Sequence, residues 1–246
     1  DNPIRVGDVP APDFIWSSIC NNDSTKFRDN SDPGQISTIT EYTWDFGDGD
    51  IVTGPAGTSV PFGEHDGRTT GSYNAPNHKY EEFGTYNSRI TVRTNDGCEN
   101  SIVKRVFILP YSTVKPVAED AYAESFEDSD GGWIAEAFDA RNSLPGDIQL
   151  SDTSWIWGIP NGTLINSGAN GSSRAWWTGK NNGSYYPHEN SVVNGPCFDL
   201  SELKRPMISL DYISDTETVD GTVLQYSVDG GLNWHVIGGE AAASGD

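Results

Sequence analysis

The residues of this sequence that could do acid–base or metal chemistry are two aspartates and a histidine near predicted turns. Asp45 and Asp48 flank Gly47, and His78 follows later in the chain. A carboxylate pair could act as acid and base, and a histidine could be a base or a metal ligand. No second histidine, cysteine or carboxylate stands at metal-ligand spacing from His78, and aspartates beside turn glycines commonly bond backbone N–H groups. We therefore predict that Asp45, Asp48 and His78 are structural turn residues.

Two acidic clusters in the second half could bind a hard cation. Glu127, Asp128 and Asp130 lie in one predicted turn, and three more carboxylates lie in a later loop at residues 215–220. Carboxylate oxygens in flexible loops suit Ca²⁺, and a solvated acidic surface is the alternative. The predicted calcium ligands are Glu127, Asp128, Asp130 and Asp220.

Tryptophans in the second half could form a stacking platform for a sugar. Trp155 and Trp157 alternate, whereas Trp176 and Trp177 are adjacent. Alternate residues of a strand share a face and adjacent residues point to opposite faces. Trp155 and Trp157 could therefore both face a core, while either Trp176 or Trp177 must point outward. Trp176 and Trp177 are the predicted glycan-binding residues, with burial in a core as the alternative.

No complete catalytic pattern accompanies these residues. The sequence lacks the G-x-S-x-G and H-E-x-x-H motifs, and its carboxylates match no glycosidase motif. The net charge of −21 repels nucleic acid and anionic lipid. No apolar run is long enough to span a bilayer. We therefore expect a non-catalytic protein that binds no nucleic acid and does not insert into membranes.

The composition predicts an all-β fold. The 246 residues include 27 glycines and 14 prolines, and the apolar runs are rich in β-branched and aromatic residues without a helical period. A proline-bounded segment at 110–116 and an acidic stretch at 120–130 interrupt the strand pattern, which is typical of a domain boundary. We predict a first module at 1–110, a linker at 111–120 and a second module at 121–246.

The most specific string in the chain is Trp44-Asp-Phe-Gly-Asp-Gly49. The motifs His78-Lys-Tyr80 and Gly84-Thr-Tyr86 follow it. Together these motifs resemble the PKD domain family over roughly residues 11–110. The resemblance implies an immunoglobulin-like sandwich of about seven strands. It also implies a spacer, or a module of an extracellular protein that contacts proteins or sugars.

The PKD resemblance also bears on the three cysteines, which show no zinc-site spacing. Many similar PKD domains carry paired cysteines at the places of Cys20 and Cys98, so a disulfide between these two is implied. A cross-link that closes so long a loop would stabilise the fold by roughly 4–5 kcal/mol in the chain-entropy model. Cys197 is then expected to be unpaired or to pair outside this sequence.

The second half resembles the MAM-like jelly-roll modules of secreted Bacteroidota proteins, over residues 121–238. The resemblance implies two packed antiparallel sheets, often with a structural calcium near the first strand. It rests on the order of aromatic and glycine motifs, which are Ser125-Phe-Glu127, Gly131-Gly-Trp133, Trp155-Ile-Trp-Gly158, Ala175-Trp-Trp-Thr178, Gly195-Pro-Cys-Phe-Asp-Leu-Ser201 and the run from Val223 to Trp234.

Strands are predicted at 207–213, 222–228 and 234–237, and Asp229-Gly230 is a hairpin turn between the last two. The same region fits the S-x-D-x-G-x-x-W pattern of the sialidase Asp-box. A single copy argues against a propeller, so Asp229 is predicted to hold the hairpin turn. The second sandwich is predicted to be incomplete at its C-terminal end, which would leave exposed strand edges.

These resemblances imply a non-catalytic segment of a large secreted or cell-surface adhesin, of the kind exported by the type IX system for gliding and attachment. Its expected partners are extracellular glycans or protein surfaces and other modules of the same long chain. The alternative is an accessory carbohydrate-binding region of a secreted polysaccharidase or peptidase. The opening residues lack an apolar leader, which predicts a mature or internal segment of an exported protein.

Overall fold

The computed structural model describes residues 7–61, 67–115, 121–137, 153–180, 182–186 and 189–237. These residues form sixteen strands and one 3-10 helical turn at Ala169–Gly171, which confirms the all-β prediction. The chain divides into two compact units, the first ending at Leu109 and the second beginning at Pro110. Within the described ranges, no helix has the length and apolar character needed to cross a membrane.

The first unit is a sandwich of two four-stranded sheets. The sheets have the strand orders β1–β2–β6–β5 and β4–β3–β7–β8, and all neighbouring strands are antiparallel. Eight strands are present in the described part of this unit, one more than the resemblance implies. They are β1 (Phe14–Ser17), β2 (Thr25–Asp29), β3 (Ile39–Asp45), β4 (Ile51–Pro55), β5 (Thr69–Ser72), β6 (Ala75–His78), β7 (Gly84–Thr94) and β8 (Glu99–Ile108).

An aromatic core joins the two sheets of the first unit. Trp44 of β3 is fully buried and meets Phe14 of β1 edge-on, with ring centroids 5.4 Å apart. Phe27 of β2 lies 5.2 Å from Phe46. The Trp44 indole Nε1 donates a hydrogen bond of 2.6 Å to the Tyr73 carbonyl oxygen. The alternating aromatic residues of the sequence motif therefore fill the interior, with the one polar indole atom satisfied.

The described residues of the second unit form four two-stranded ladders. Three are antiparallel, β10–β13, β11–β12 and β15–β16, and β9–β14 is parallel. Among the described residues these ladders do not join into larger sheets, and the jelly roll stays a prediction. The strands are β9 (Tyr111–Thr113), β10 (Ile134–Ala137), β11 (Trp155–Gly158), β12 (Ala175–Thr178), β13 (Ser191–Asn194), β14 (Cys197–Asp199), β15 (Gln225–Tyr226) and β16 (His235–Val236).

Two sequence predictions about the second unit need revision. The predicted linker begins with β9, which pairs with β14 and so belongs to the second unit. The predicted strand at 207–213 is wrong, because this segment pairs with no strand that the structure describes. Its Met207 and Tyr212 side chains are 93% and 75% exposed. Apolar alternation favours a strand, but a strand also needs a neighbour for its backbone groups.

The predicted disulfide between Cys20 and Cys98 is wrong. Cys98 is a free thiol, whereas Cys20 and Cys197 are both disulfide-bonded. Cys98 immediately precedes β8, but Cys20 forms a β-bridge with Leu109, immediately after β8. A ten-residue strand is about 33 Å long, and disulfide-bonded cysteines require Cα atoms within about 7 Å. Cys20 and Cys98 therefore lie near opposite ends of β8, too far apart to be bonded to each other.

Candidate functional site

Asp45 and Asp48 hold the turn that follows β3. Asp45 Oδ1 accepts a hydrogen bond from the Gly47 N–H at 3.0 Å, and Asp48 Oδ1 accepts one from the Asp50 N–H at 3.1 Å. Gly47 has φ of +84°, and a Cβ there would lie 2.8 Å from the Asn87 carbonyl oxygen. The turn therefore requires glycine at position 47 for conformation and for space.

His78 ties this turn to the sheet of β5 and β6. The ring is fully buried, with Nε2 2.9 Å from Asp48 Oδ2 and Nδ1 2.8 Å from Thr69 Oγ1. It stacks on Phe46 with a centroid separation of 4.0 Å. Arg68 donates to the same Asp48 oxygen at 2.9 Å. The sequence shows no partner near His78 because its partners come from two other segments of the chain.

The environment of Asp48 keeps its carboxylate charged. Burial acts to raise the pKa of Asp48, but the hydrogen bond from His78 opposes burial. The Asp50 backbone N–H and the charges of His78 and Arg68 add to that opposition. The net result is a pKa below the ordinary aspartate value. A paired, ionised carboxylate at this position stabilises the turn as long as it remains deprotonated.

Thr69, His78 and Asp48 have the composition of a hydroxyl nucleophile, a base and an orienting carboxylate. The hydroxyl of Thr69 also donates to Asp50 Oδ2 at 2.9 Å. Only 2% of Thr69 and none of His78 is exposed. A substrate carbonyl would have to approach Thr69 Oγ1 to within about 3.5 Å, and the packed core excludes it. The cluster is therefore structural.

The tyrosines of the motif bond to main-chain oxygens. Tyr80 is buried, and its hydroxyl donates to the Phe46 carbonyl oxygen at 3.0 Å. Ser88 donates to the same oxygen at 2.9 Å. The Tyr86 hydroxyl donates to the Glu82 carbonyl oxygen at 2.7 Å. These side chains connect the end of β3, β7 and the loop before β7. Their three hydroxyl groups all donate hydrogen bonds to main-chain oxygens.

The tryptophans of the second unit lie on both faces of the β11–β12 ladder. Trp157 pairs with Trp176 across the ladder, and Ile156 pairs with Trp177. Trp155, Trp157 and Trp176 therefore share one face and are each half-buried. Trp177 lies on the other face and is only 8% exposed. The glycan-binding prediction is wrong for Trp177, because a buried ring cannot stack on a sugar.

The half-buried face, defined by Trp155, Trp157 and Trp176, is held by the loop before β10. Trp157 Nε1 donates to the Phe126 carbonyl oxygen at 2.8 Å, and Trp176 Nε1 donates to the Asp130 carbonyl oxygen at 3.1 Å. The Arg174 guanidinium lies 5.0 Å from the Trp157 ring centroid, within cation–π range. We call this surface the tryptophan face. The Trp157 and Trp176 rings are thereby fixed in orientation, and the Trp157 ring lies beside a cation.

Three of the four predicted calcium ligands, Glu127, Asp130 and Asp220, accept hydrogen bonds from protein groups. Glu127 Oε1 accepts hydrogen bonds from the Ser172 hydroxyl at 2.5 Å and the Ser173 N–H at 2.6 Å. Asp130 Oδ1 accepts from the Gly132 N–H, and Asp220 Oδ2 accepts from the Tyr185 hydroxyl. In the described ranges, no three carboxylate, histidine or cysteine side chains are grouped to hold a metal ion.

These residues therefore do not fit a calcium cage, and the calcium site stays a prediction. Its ligands would have to leave these partners and converge. Thermal unfolding in excess calcium and in chelator tests the prediction. An equal melting temperature in both would contradict it.

Asp229 lies in the turn between β15 and β16. Its Oδ1 accepts from the Asn233 N–H at 2.9 Å and from the Ser227 hydroxyl at 2.8 Å. The hydrogen bonds from the Asn233 backbone and side chain and from Ser227 lower the pKa of Asp229 to about 2. The predicted turn residue therefore organises the whole hairpin loop through one carboxylate.

The first unit also matches a known family. Residues 9–108 match the family model of the PKD domain. The match covers less than half of the chain, and we refer to the first unit, to which it is confined, as the PKD domain. Four motif residues within the matched range, Trp44, Phe46, His78 and Tyr80, are buried. A search of curated proteins found no match to this chain.

Solved structures similar to the chain include two PKD domains. The PKD1 domain of Vibrio anguillarum Epp is 19% identical, with 42% of this chain and 96% of that chain covered and a TM-score of 0.31. The PKD1 domain of the Vibrio cholerae metalloprotease PrtV is 20% identical, with 41% and 98% covered and a TM-score of 0.31. A third similar structure is that of carbohydrate-binding modules from the β-sandwich superfamily. It is 20% identical, with 70% and 54% covered and a TM-score of 0.33.

Proposed function

We propose that this chain is a non-catalytic segment of a secreted or cell-surface protein. In this proposal the PKD domain is a spacer and the second unit contacts a glycan through the tryptophan face. The observation that carries the proposal is the contrast between buried motif residues in the PKD domain and the partly exposed, oriented rings of Trp157 and Trp176.

The non-catalytic part rests on burial. The best nucleophile, base and carboxylate set in the described part of the chain is Thr69, His78 and Asp48, and its hydroxyl and ring are almost wholly enclosed. Every polar atom of His78 already has a protein partner. Catalysis requires a substrate atom about 3 Å from both nucleophile and stabilising donors. We therefore assign this domain a spacer role and not a catalytic one.

The glycan part rests on the chemistry of the tryptophan face. An indole ring offers a large apolar surface at a small entropic cost, which suits the C–H face of a sugar ring. The two indole N–H groups are bonded to the loop before β10, so the rings do not need to be ordered when a ligand binds. Arg174 supplies donors for sugar hydroxyls, and it lies next to the Trp157 ring.

A glycan array with the full chain identifies a ligand, and titration with Trp176→Ala tests the face. Loss of the stacked ring is expected to weaken binding about tenfold, equivalent to about 1.4 kcal/mol. Tyr212→Ala is the matched control, because it removes an aromatic ring that is 75% exposed outside the tryptophan face. Equal binding by Trp176→Ala and the unsubstituted chain would contradict the proposed face.

The proposed parent protein is a large surface adhesin of the type exported for gliding and attachment. An accessory region of a polysaccharidase or peptidase would use the same tryptophan face. The flanking modules distinguish the two. Further PKD or immunoglobulin-like modules next to this segment support the adhesin, and a neighbouring catalytic domain supports the accessory region.

A further inference from the structure

A lysine lies inside the PKD domain. Lys104 shares its parity on β8 with Ile102, Val106 and Ile108, so it faces the interior of the sandwich. Its residue exposure is 1%, and its Nζ lies 5.4 Å from the centroid of the buried Phe14 ring. Lysine is almost never fully buried without a partner. Its partner is Asp13, which immediately precedes β1.

The contact between Lys104 and Asp13 is not that of an ordinary ion pair. Lys104 Nζ lies 2.5 Å from Asp13 Oδ1, shorter than the usual 2.7–2.9 Å of a charged N–H···O bond. Yet Asp13 Oδ1 is buried and has no hydrogen-bond partner among the described residues. The two facts agree if Nζ approaches the carboxyl group from a direction other than that of a hydrogen bond. Lys104 Nζ therefore contacts the Asp13 carboxyl group without forming a hydrogen bond to Oδ1.

We propose that Lys104 and Asp13 are the two ends of an intramolecular isopeptide bond, formed between Lys104 Nζ and Asp13 Cγ. Reacting atoms that are held in contact gain a large effective concentration. The Lys104 side chain is 2% exposed and the Asp13 side chain 24% exposed, so an unlinked pair would leave the lysine charge buried at a desolvation cost. Conversion to a neutral amide removes that charge from the interior.

Amide formation balances without a co-reactant. Proton transfer from Lys104 Nζ to Asp13 Oδ1 gives an amine and a carboxylic acid. Nζ attacks Cγ, the Cγ–Oδ1 bond breaks, and Oδ1 leaves as water with a second proton from Nζ. The product keeps one N–H on Nζ and one carbonyl oxygen, Oδ2. Nothing is oxidised or reduced.

The surrounding groups match this product. Lys104 Nζ donates to the Phe14 carbonyl oxygen at 2.9 Å, which accommodates the remaining amide N–H. Asn30 Nδ2 donates to Asp13 Oδ2 at 2.8 Å, which polarises the carboxyl group for attack and afterwards satisfies the amide oxygen. The Ser31 hydroxyl accepts from the Asp13 N–H at 3.0 Å and fixes the Asp13 backbone.

The bond would join the two sheets of the PKD domain. Asp13 adjoins β1 in one sheet, and Lys104 lies on β8 in the other. A covalent tie between the first and last strands closes almost the whole domain into one loop, and this constrains the unfolded chain. The domain could then be stretched without separation of these two strands. This inference stands on the Asp13–Lys104 contact and does not depend on glycan binding.

Mass spectrometry of the purified full chain after reduction of its disulfides tests the proposal. The intact mass is expected to be lower than the sequence mass by one water molecule. After alkylation, trypsin is expected to release residues 6–26 joined to residues 94–105, because a linked Lys104 is not cleaved. An intact mass equal to the sequence mass, with the two peptides found separately, would overturn the proposal whatever the variants do.

Variants assign the bond to its residues. Lys104→Met and Asp13→Ala are expected to have their full sequence masses and to lose the joined peptide. Asp23→Asn is the matched control, since this exposed carboxylate lies in the same tryptic peptide as Asp13 and should leave the link intact. A joined peptide that persists in Lys104→Met would assign the link to other residues and overturn the proposal.

Discussion

The two units of this chain place the same aromatic residue types in opposite environments. In the PKD domain, Trp44 and Phe46 are fully buried between two four-stranded sheets. In the second unit, Trp157 and Trp176 are half-buried on a two-stranded ladder. A sheet face becomes an interior only when a second layer covers it. The layers around a strand, more than its sequence, decide whether its tryptophans are buried in a core or remain partly exposed.

The polar residues differ in the same way. His78 and Asp48 bond across segments of the PKD domain and fix its interior. Glu127 and Asp229 organise loops at the surface of the second unit. A substitution in the first group should therefore change the free energy of unfolding of the domain, whereas one in the second should change a local loop. The following predictions test this contrast.

The largest effect is expected for Trp44→Ala. Removal of this buried ring should lower the free energy of unfolding by about 3–5 kcal/mol, as measured by chemical denaturation. Trp176→Ala on the tryptophan face should cost only about 1 kcal/mol. Trp177→Ala, its buried neighbour, is the control and should cost more than Trp176→Ala. Equal losses for the two neighbours would break the distinction between the faces of β12.

A smaller, pH-dependent effect is expected for Asp48→Asn. Loss of the charged hydrogen bond with His78 should cost about 2 kcal/mol at neutral pH. The pKa of Asp48 is lowered in the folded state, so its contribution is fully present above the unfolded pKa of about 4. That contribution is lost as the pH falls through the lowered pKa.

The difference in stability between the unsubstituted chain and Asp48→Asn should therefore shrink in acid. Denaturation curves for both proteins at several pH values measure this difference. A difference that stays constant from neutral pH to well below pH 4 would show that the carboxylate charge is not what Asp48 contributes.

Gly47→Ala is expected to destabilise the PKD domain by about 2 kcal/mol. The new methyl group would combine a positive φ with a 2.8 Å approach to the Asn87 carbonyl oxygen. Gly49→Ala is the matched control, because φ there is also positive, +94°, but a Cβ meets no atom within 4 Å. In thermal unfolding, Gly47→Ala should have a lower melting temperature than Gly49→Ala. The reverse order would show that backbone strain outweighs the steric contact.

The smallest effect on stability is expected at Cys98. Alkylation without reduction should label one thiol per chain, and peptide mapping should find that label on Cys98, which is partly exposed. Cys98→Ser should remove the label and leave the melting temperature nearly unchanged. A label on Cys197 would contradict its disulfide-bonded state.

Local patterns of the sequence predicted those features that depend on near neighbours. Alternation in the Trp44 motif predicted which aromatic residues share a face, and the glycines after it predicted the turn held by Asp45 and Asp48. The Asp229 turn was predicted on the same grounds. Strand parity and turn chemistry act over a few residues, so the sequence alone displays them.

Tertiary structure decided what depends on distant segments. The parity of Trp176 and Trp177 required one ring to point outward, but only the packing of the β11–β12 ladder shows that it is Trp176. His78 has partners from other strands, and Cys98 lies at the far end of β8 from Cys20. The position of Lys104 in the alternation of β8 indicates that its side chain faces the interior. No local pattern indicates that Asp13 is its partner. Contacts between residues far apart in the chain depend on how the sheets pack on each other. The alternation of residues within a single strand does not specify that packing.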